Sequence, residues 1–231
     1  QAPKGTKDVL PSESYKWQEV EEKVKKVYVV GGATNYASWI KNHKLVDDLK
    51  DADIVLFTGG EDVDPSLYNC ENHPTTWSNI KRDQEELEIF KKIKHNQLAL
   101  GICRGSQFLC VANGGILIQD CFGHCLASTH PITDGNRHVE ITSTHHQMQY
   151  PYLLDRNDYN VLFWASNRLS YYYKGNNIRR EPPEEPEVVY YHVDGNPQCL
   201  AIQGHPEIMR KESPIINILN DLIDKCLEDV R

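Results

Sequence analysis

Residues 98–115 read LALGICRGSQFLCVANGG, and the architecture of the chain can be worked out from this stretch. Leu98 to Ile102 is an apolar run that reads as a buried strand. Ser106 to Ala112 reads as a helix, closed by Asn113 and Gly114. Between the two, Gly101 and Gly105 stand two positions before and after Cys103. A strand that passes into a helix through Gly-x-Cys-x-Gly needs a sharp turn, and small residues relieve the crowding there. Such a turn sets the sulfur above the sheet edge at the start of a helix, where a thiolate is stabilised. The backbone N–H of Arg104 is then free to face an oxyanion. Cys110, two helical turns after Cys103, reads as a small buried hydrophobe. Taken alone, the Gly-x-Cys-x-Gly pattern fits core packing as well as catalysis.

The neighbouring segments extend the same plan. VYVVGG (27–32) and DIVLFTGG (53–60) are buried strands that end in glycine turns. Ala37 to Leu49 and Asp83 to Ile93 read as helices. Alternating strands and helices predict an α/β fold with a parallel sheet covered on both faces. In such sheets the reactive groups gather at the carboxyl ends of strands, where Gly59-Gly60 and Cys103 both fall. The second half is richer in strands. HVEIT (138–142) alternates, EVVYYHV (187–193) and CLAIQG (199–204) form a hairpin, and Ile208 to Val230 contains a closing amphipathic helix. The polar stretch from Lys174 to Glu187, ending EPPEEPE, reads as an exposed loop.

Composition narrows the function. The chain has 231 residues, 39% hydrophobic and 25% charged, enough for one sizeable core. A net charge of −8 without a basic stretch argues against a nucleic-acid partner, and no apolar run is long enough to span a bilayer. Seven scattered cysteines read as reduced thiols, so a cytoplasmic setting without a secretory leader is expected. In CFGHC (121–125) Cys121, His124 and Cys125 cluster, with His130 nearby, but no second Cys/His pair completes a zinc pattern. That stretch reads as a turn after a strand, and neither a metal nor a cofactor is expected.

A thiol nucleophile needs a base and a group that orients it. The chain has ten histidines, and His205 in QGHPE (203–207) has the fitting surroundings. It follows an apolar strand, and residues two apart in an extended chain share a side, so Glu207 can turn to the His205 ring. Cys103, His205 and Glu207 thus form a candidate Cys-His-Glu triad. Asp62 and Asp64 read as caps or loop hydrogen-bonders, and Tyr171 to Tyr173 as strand with aromatic packing.

GICRGSQ followed far downstream by QGHPE resembles the class I glutamine amidotransferase superfamily. TGGEDVDPSLY (58–68), RDQEELEIF (82–90), GGILIQD (114–120) and STHHQ (143–147) narrow the likeness to its gamma-glutamyl hydrolase branch. The resemblance implies a flavodoxin-like three-layer sandwich with a mainly parallel sheet and a nucleophile elbow. It implies that Cys103 attacks a γ-glutamyl carbonyl, that His205 moves the protons and that Glu207 orients His205. The N–H groups of Gly60 and Arg104 are the implied oxyanion hole, and Gln107, His145 and Gln147 the implied substrate contacts. The branch carries an aromatic residue before the HPE histidine, where this chain has Gly204. The expected function is cysteine-dependent hydrolysis of a γ-glutamyl amide. The alternatives are a glutaminase subunit passing ammonia to a synthase partner in trans, and a non-catalytic binding module on the same fold.

The N-terminal stretch differs in character. Ser12 can cap a helix from about Glu13 to Lys25. APKGTKDVLPSESYKWQ is similar to the extreme N-terminus of histidyl-tRNA synthetases, and nothing later resembles a synthetase core. Residues 1–25 are therefore expected to be an appended helical segment, and 26–231 the amidotransferase-like domain.

Overall fold

A computed structural model describes residues 23–175 and 181–230. The expected N-terminal helix, apart from its last residues, lies outside the described residues. Lys25 already belongs to the first strand, β1 (Lys25–Val29). β2 (His43–Leu45), β3 (Ile54–Phe57) and β4 (Leu98–Ile102) follow, with helix α1 (Ile80–Lys92) between the last two. α2 (Arg104–Ala112) leaves β4 directly. Then come β5 (Ile116–Ile118), β6 (Asp120–Cys121), β7 (Cys125–Thr133), β8 (His138–Thr144), β9 (Met148–Tyr150) and β10 (Tyr159–Ala165). β11 (Tyr173–Lys174), β12 (Pro186–Tyr191), β13 (Cys199–Ile202) and α3 (Pro214–Asp229) complete the chain.

Nine strands form one sheet in the order β2-β1-β3-β4-β13-β12-β10-β7-β8. From β2 to β13 the neighbours run parallel, and from β13 to β8 they run antiparallel. The parallel half explains why β3 and β4 are apolar at every position: both faces are covered. Ile54 and Leu56 pack with Ile215, Leu219 and Ile223 of α3, whereas Val55 and Phe57 pack with Phe90 of α1 and Phe108 of α2. That alternation makes three layers, α3 on one face and α1 with α2 on the other. Asn79 caps α1 by accepting the Arg82 N–H at 3.2 Å, while Asp83 in the first turn and Lys91 and Lys92 in the last complement the helix dipole. Among the described residues no helix is long and apolar enough to cross a membrane.

Two expectations are corrected. The helix from Ala37 to Leu49 does not form. In its place stand a short 3-10 turn, a left-handed residue at Asn42 (φ 50°) and the edge strand β2. Leu45 lies beside Val27 in a parallel ladder, so the free edge of β1 provides hydrogen bonds that outweigh the helical spacing. The segment before Glu187 is not an exposed loop to its end. Pro186 opens β12, and Glu185 and Glu187 are 2% and 0% exposed, because antiparallel pairing with β10 and β13 draws them inside.

Candidate active site

The carboxyl ends of β3, β4 and β13 converge, and each contributes a residue of the expected site. After β4, Cys103 adopts φ 53° and ψ −112°, a conformation that side chains rarely take and that persists only where its surroundings hold it. Its N–H donates to Ile202 O at 2.8 Å, tying the elbow to β13. Its carbonyl accepts from the Ser106 hydroxyl at 2.6 Å and from the Ser106 and Gln107 N–H groups. The glycines are needed where they stand. A Cβ on Gly101 would lie 2.5 Å from Gly105 O, and one on Gly105 would lie 2.2 Å from Phe57 O. Gly105→Ala must push α2 off β3, and a loss of about 1–3 kcal/mol in a urea melt is expected. An unchanged midpoint would show that the helix has room to move.

After β13 the chain turns at once. His205, Pro206, Glu207 and Ile208 form a 3-10 turn with Pro206 at its first position. The carboxylate reaches the ring through this turn, not along an extended strand as the residue spacing suggested. His205 Nδ1 lies 2.6 Å from Glu207 Oε1, so the Nδ1–H donates there and Nε2 is left for Cys103, the other group that acts on the ring. The His205 N–H donates to Thr142 Oγ1 at 2.8 Å, and that hydroxyl donates back to His205 O at 3.2 Å. A Cβ on Gly204 would lie 2.6 Å from the Ile141 side chain, so an aromatic side chain has no space here.

Burial disfavours the imidazolium, but the hydrogen bonds to Cys103 and Glu207 outweigh it and push the His205 pKa up to about 10. The folded value stands above the ordinary 6.5. The stability carried by the charged ring is therefore complete below about pH 6.5 and is lost as the pH rises toward 10. Glu207→Gln removes one of the two partners. The ring nitrogens, followed by 15N NMR, are expected to titrate at lower pH, and kcat/KM for the reaction proposed below to fall by roughly 10²–10⁴-fold. An unmoved titration would remove Glu207 from the site.

After β3 comes the Thr58-Gly59-Gly60 turn. Arg82 of α1 holds it, donating to Gly59 O at 3.0 Å and to Glu61 at 2.8 Å. Gly60 has φ 142°, and a Cβ there would strike the Arg82 guanidinium at 2.1 Å. Tyr36 lies on the other side, its ring centroid 6.1 Å from that of His205. Sequence reasoning missed both Arg82 and Tyr36 as site residues. Arg82 opens the RDQEELEIF stretch, which carried a signal, whereas Tyr36 carries no local signal.

Gln107, Gln147 and His145 are brought together under the elbow. Gln107 Nε2 donates to Gln147 O at 3.1 Å and to Gln203 Oε1 at 3.2 Å. Gln147 donates to Thr76 Oγ1 at 3.0 Å, and His145 Nδ1 donates to Gln147 O at 2.6 Å. All three are buried, at 3%, 1% and 4% exposure. Burial pulls the His145 pKa down to about 3, so its ring is neutral. Asp64 caps the turn beginning at Pro65 by accepting the Ser66 N–H, as its position suggested. Cys110 is fully buried, and burial pushes its thiol up to about 12.

A strained cysteine at a strand–helix turn, with a histidine bound to a carboxylate, can perform thiolate attack. Among known families, residues 6–151 match the model of Peptidase C26. The chain belongs to the Peptidase C26 family. Cys103 lies inside the matched residues, and His205 and Glu207 lie beyond them. A protein of Mycobacterium tuberculosis, named as a candidate glutamine amidotransferase, is 41% identical over 75 residues, 30% of this chain and 24% of that protein. Protein NtpR of Enterococcus hirae is 37% identical over 70 residues, 29% of each chain. The matched stretch therefore spans only about a quarter of these relatives' length. Among solved structures, a Thermoplasma acidophilum protein named as a candidate component of GMP synthase superposes with a TM-score of 0.56 at 18% identity, covering 90% of this chain and 96% of that one. A Thermotoga maritima glutamine amidotransferase gives 0.51 at 15% identity, covering 90% of each chain. These two likenesses establish for the Peptidase C26 chain a shared fold with a flavodoxin-like sheet.

Proposed function

We propose that this Peptidase C26 chain hydrolyses a γ-glutamyl amide through Cys103, as in the gamma-glutamyl hydrolase branch. The strained Cys103 elbow, together with a His205 ring held by Glu207 at 2.6 Å, carries the reading. His205 holds the proton given up by the thiol as an imidazolium, and the thiolate sulfur attacks the γ-carbonyl carbon. The developing oxyanion is met by the N–H of Gly60 and that of Arg104, the first helical residue, whose N–H has no partner within the helix. His205 returns its proton to the leaving nitrogen as the C–N bond breaks, leaving a glutamyl thioester. Water then attacks the thioester, again giving its proton to His205, and glutamate leaves as the thiol reforms. Gln107, Gln147 and the neutral His145 shape the floor that receives the glutamyl group. No cofactor enters these steps.

The reading is tested by presenting glutamine and a panel of γ-glutamyl amines to the purified chain and measuring free glutamate. Release from at least one γ-glutamyl amine is expected. If no substrate yields glutamate and a glutamine-like chloroketone leaves Cys103 unlabelled, the reading fails. The names of the relatives favour a second reading, a glutaminase that hands ammonia to a separate synthase. Glutamine turnover that appears only with an added synthase would favour it.

A further inference from the structure

Behind the substrate floor, among the described residues, a buried cluster of titratable side chains has no part in the steps above. His124 on the β6–β7 link, His130 in β7 and Glu187 in β12 bring one donor atom each within 4.8 Å of one another. Their exposures are 0%, 3% and 0%. His130 Nε2 approaches Glu187 Oε1 to 2.9 Å and His124 Nδ1 approaches it to 3.4 Å. Neither contact has hydrogen-bond alignment: both Glu187 oxygens and both His130 ring nitrogens lack a hydrogen-bond partner among the described residues. A fully buried carboxylate whose oxygens are left without aligned donors is costly, and three converging ligand atoms are what a cation satisfies.

The surroundings fit a metal better than an ion pair alone. His124 Nε2 lies 2.7 Å from Glu185 Oε2, so its Nε2–H donates there, and its Nδ1 lies 3.4 Å from Glu187 Oε1 and 3.4 Å from Ser143 Oγ. Glu185 is itself fixed, accepting the N–H groups of Leu169 and Ser170. A carboxylate behind a ligating histidine is the usual second layer of a zinc site. Ligands at about 2.0–2.1 Å from a tetrahedral ion stand roughly 3.4 Å apart; Glu187 Oε1 lies 2.9 Å and 3.4 Å from the two histidine nitrogens. His145 packs beside the cluster. Its ring centroid is 4.7 Å from that of His124, its Nδ1 is held by Gln147 O, and its buried Nε2 has no hydrogen-bond partner.

We propose that His124, His130 and Glu187 form a closed structural site for one divalent transition-metal ion, Zn²⁺ by the chemistry of its donors. The ion pins the β6–β7 link to β7 and β12. Glu187 O also accepts the Gln203 N–H at 2.8 Å, two residues before His205, so the pin lies behind the strand end that carries the base. The CFGHC stretch contributes only its histidine: Cys121 is kept as a thiol by burial, and the other two donors come from strands with no metal motif.

The test reads metal directly and so is independent of whether Cys103 hydrolyses anything. The full chain, purified without chelators and desalted, is assayed for metal by mass spectrometry. It is then stripped with dipicolinate and reloaded with Zn²⁺ or Co²⁺. One retained equivalent of Zn²⁺ is expected, with a Tm that falls by several degrees on stripping and recovers on reloading. Cobalt should give visible d–d bands without a thiolate charge-transfer band. Glu187→Gln and His130→Asn should lose the equivalent, and a Cys103→Ser, Cys125→Ser variant should keep it. If the variants do not fold, the wild-type cobalt spectrum decides. Substoichiometric metal with a Tm indifferent to chelator and to added Zn²⁺, or a thiolate-ligated cobalt spectrum, would overturn the site and leave a buried His–Glu ion-pair cluster.

Discussion

Cys103→Ala is expected to lower kcat/KM for glutamate release by on the order of 10⁴-fold or more. The substitution removes the only atom that forms the covalent bond in the proposed route, while the base and the oxyanion donors stay. Whatever rate remains comes from water positioned in the same site. Stability gives the same experiment a second readout. At φ 53° and ψ −112° a residue with a Cβ is strained, at a cost of about 1–3 kcal/mol. Cys103→Gly should therefore be inactive and yet unfold at higher urea concentration than wild type. Activity that survives in both variants would end the cysteine mechanism. Loss of activity together with loss of stability in Cys103→Gly would mean that the elbow is not strained.

Arg104→Ala is expected to cost about 3–5 kcal/mol of folding stability. The Arg104 side chain is 1% exposed and pairs with Asp83 and Glu86 of α1, and its guanidinium lies 5.3 Å from the Phe108 ring centroid. Burial pulls the Arg104 pKa down to about 10 and raises that of Asp83. Desolvation thus opposes both charges, and the cluster is a weak net stabiliser while it is whole. Removing the cation alone leaves two acidic groups in the core. Replacing all three residues by Leu or Met should recover most of the loss, because the two acidic groups are gone and Arg82, which also pairs with Glu86, keeps Glu61 as its partner. A single variant as stable as wild type would show that water reaches the carboxylates. Every one of these variants keeps a backbone N–H at position 104, so glutamate release from the folded triple variant reports on whether the clamp also aims the oxyanion donor.

The cost of one buried charge here reflects how the two helices are joined, and that junction was only partly legible in the sequence. Gly101, Cys103 and Gly105 declared the elbow, since the steric need for glycine acts over a few residues and requires no knowledge of what packs nearby. Runs such as Ile54 to Phe57 declared a strand covered on both faces for the same local reason. His205 and Glu207 could be paired because two positions separate them, although it is a 3-10 turn that brings them together.

Local grammar was thus readable from the residues in order: strand ends, the elbow, the base with its carboxylate, and the layered α/β class. Packing in three dimensions settled the rest. It turned residues 43–45 into an edge strand, because a neighbouring strand offered backbone partners that helical spacing cannot foresee. It buried Glu185 and Glu187, which read as part of a solvated loop, by pairing their strand on both sides. It set His124 beside His130 and Glu187, and Arg82 and Tyr36 around Gly59. These contacts join residues far apart in the chain. Their energy comes from desolvation and from the geometry of several elements at once, and neither is written in any one stretch of residues.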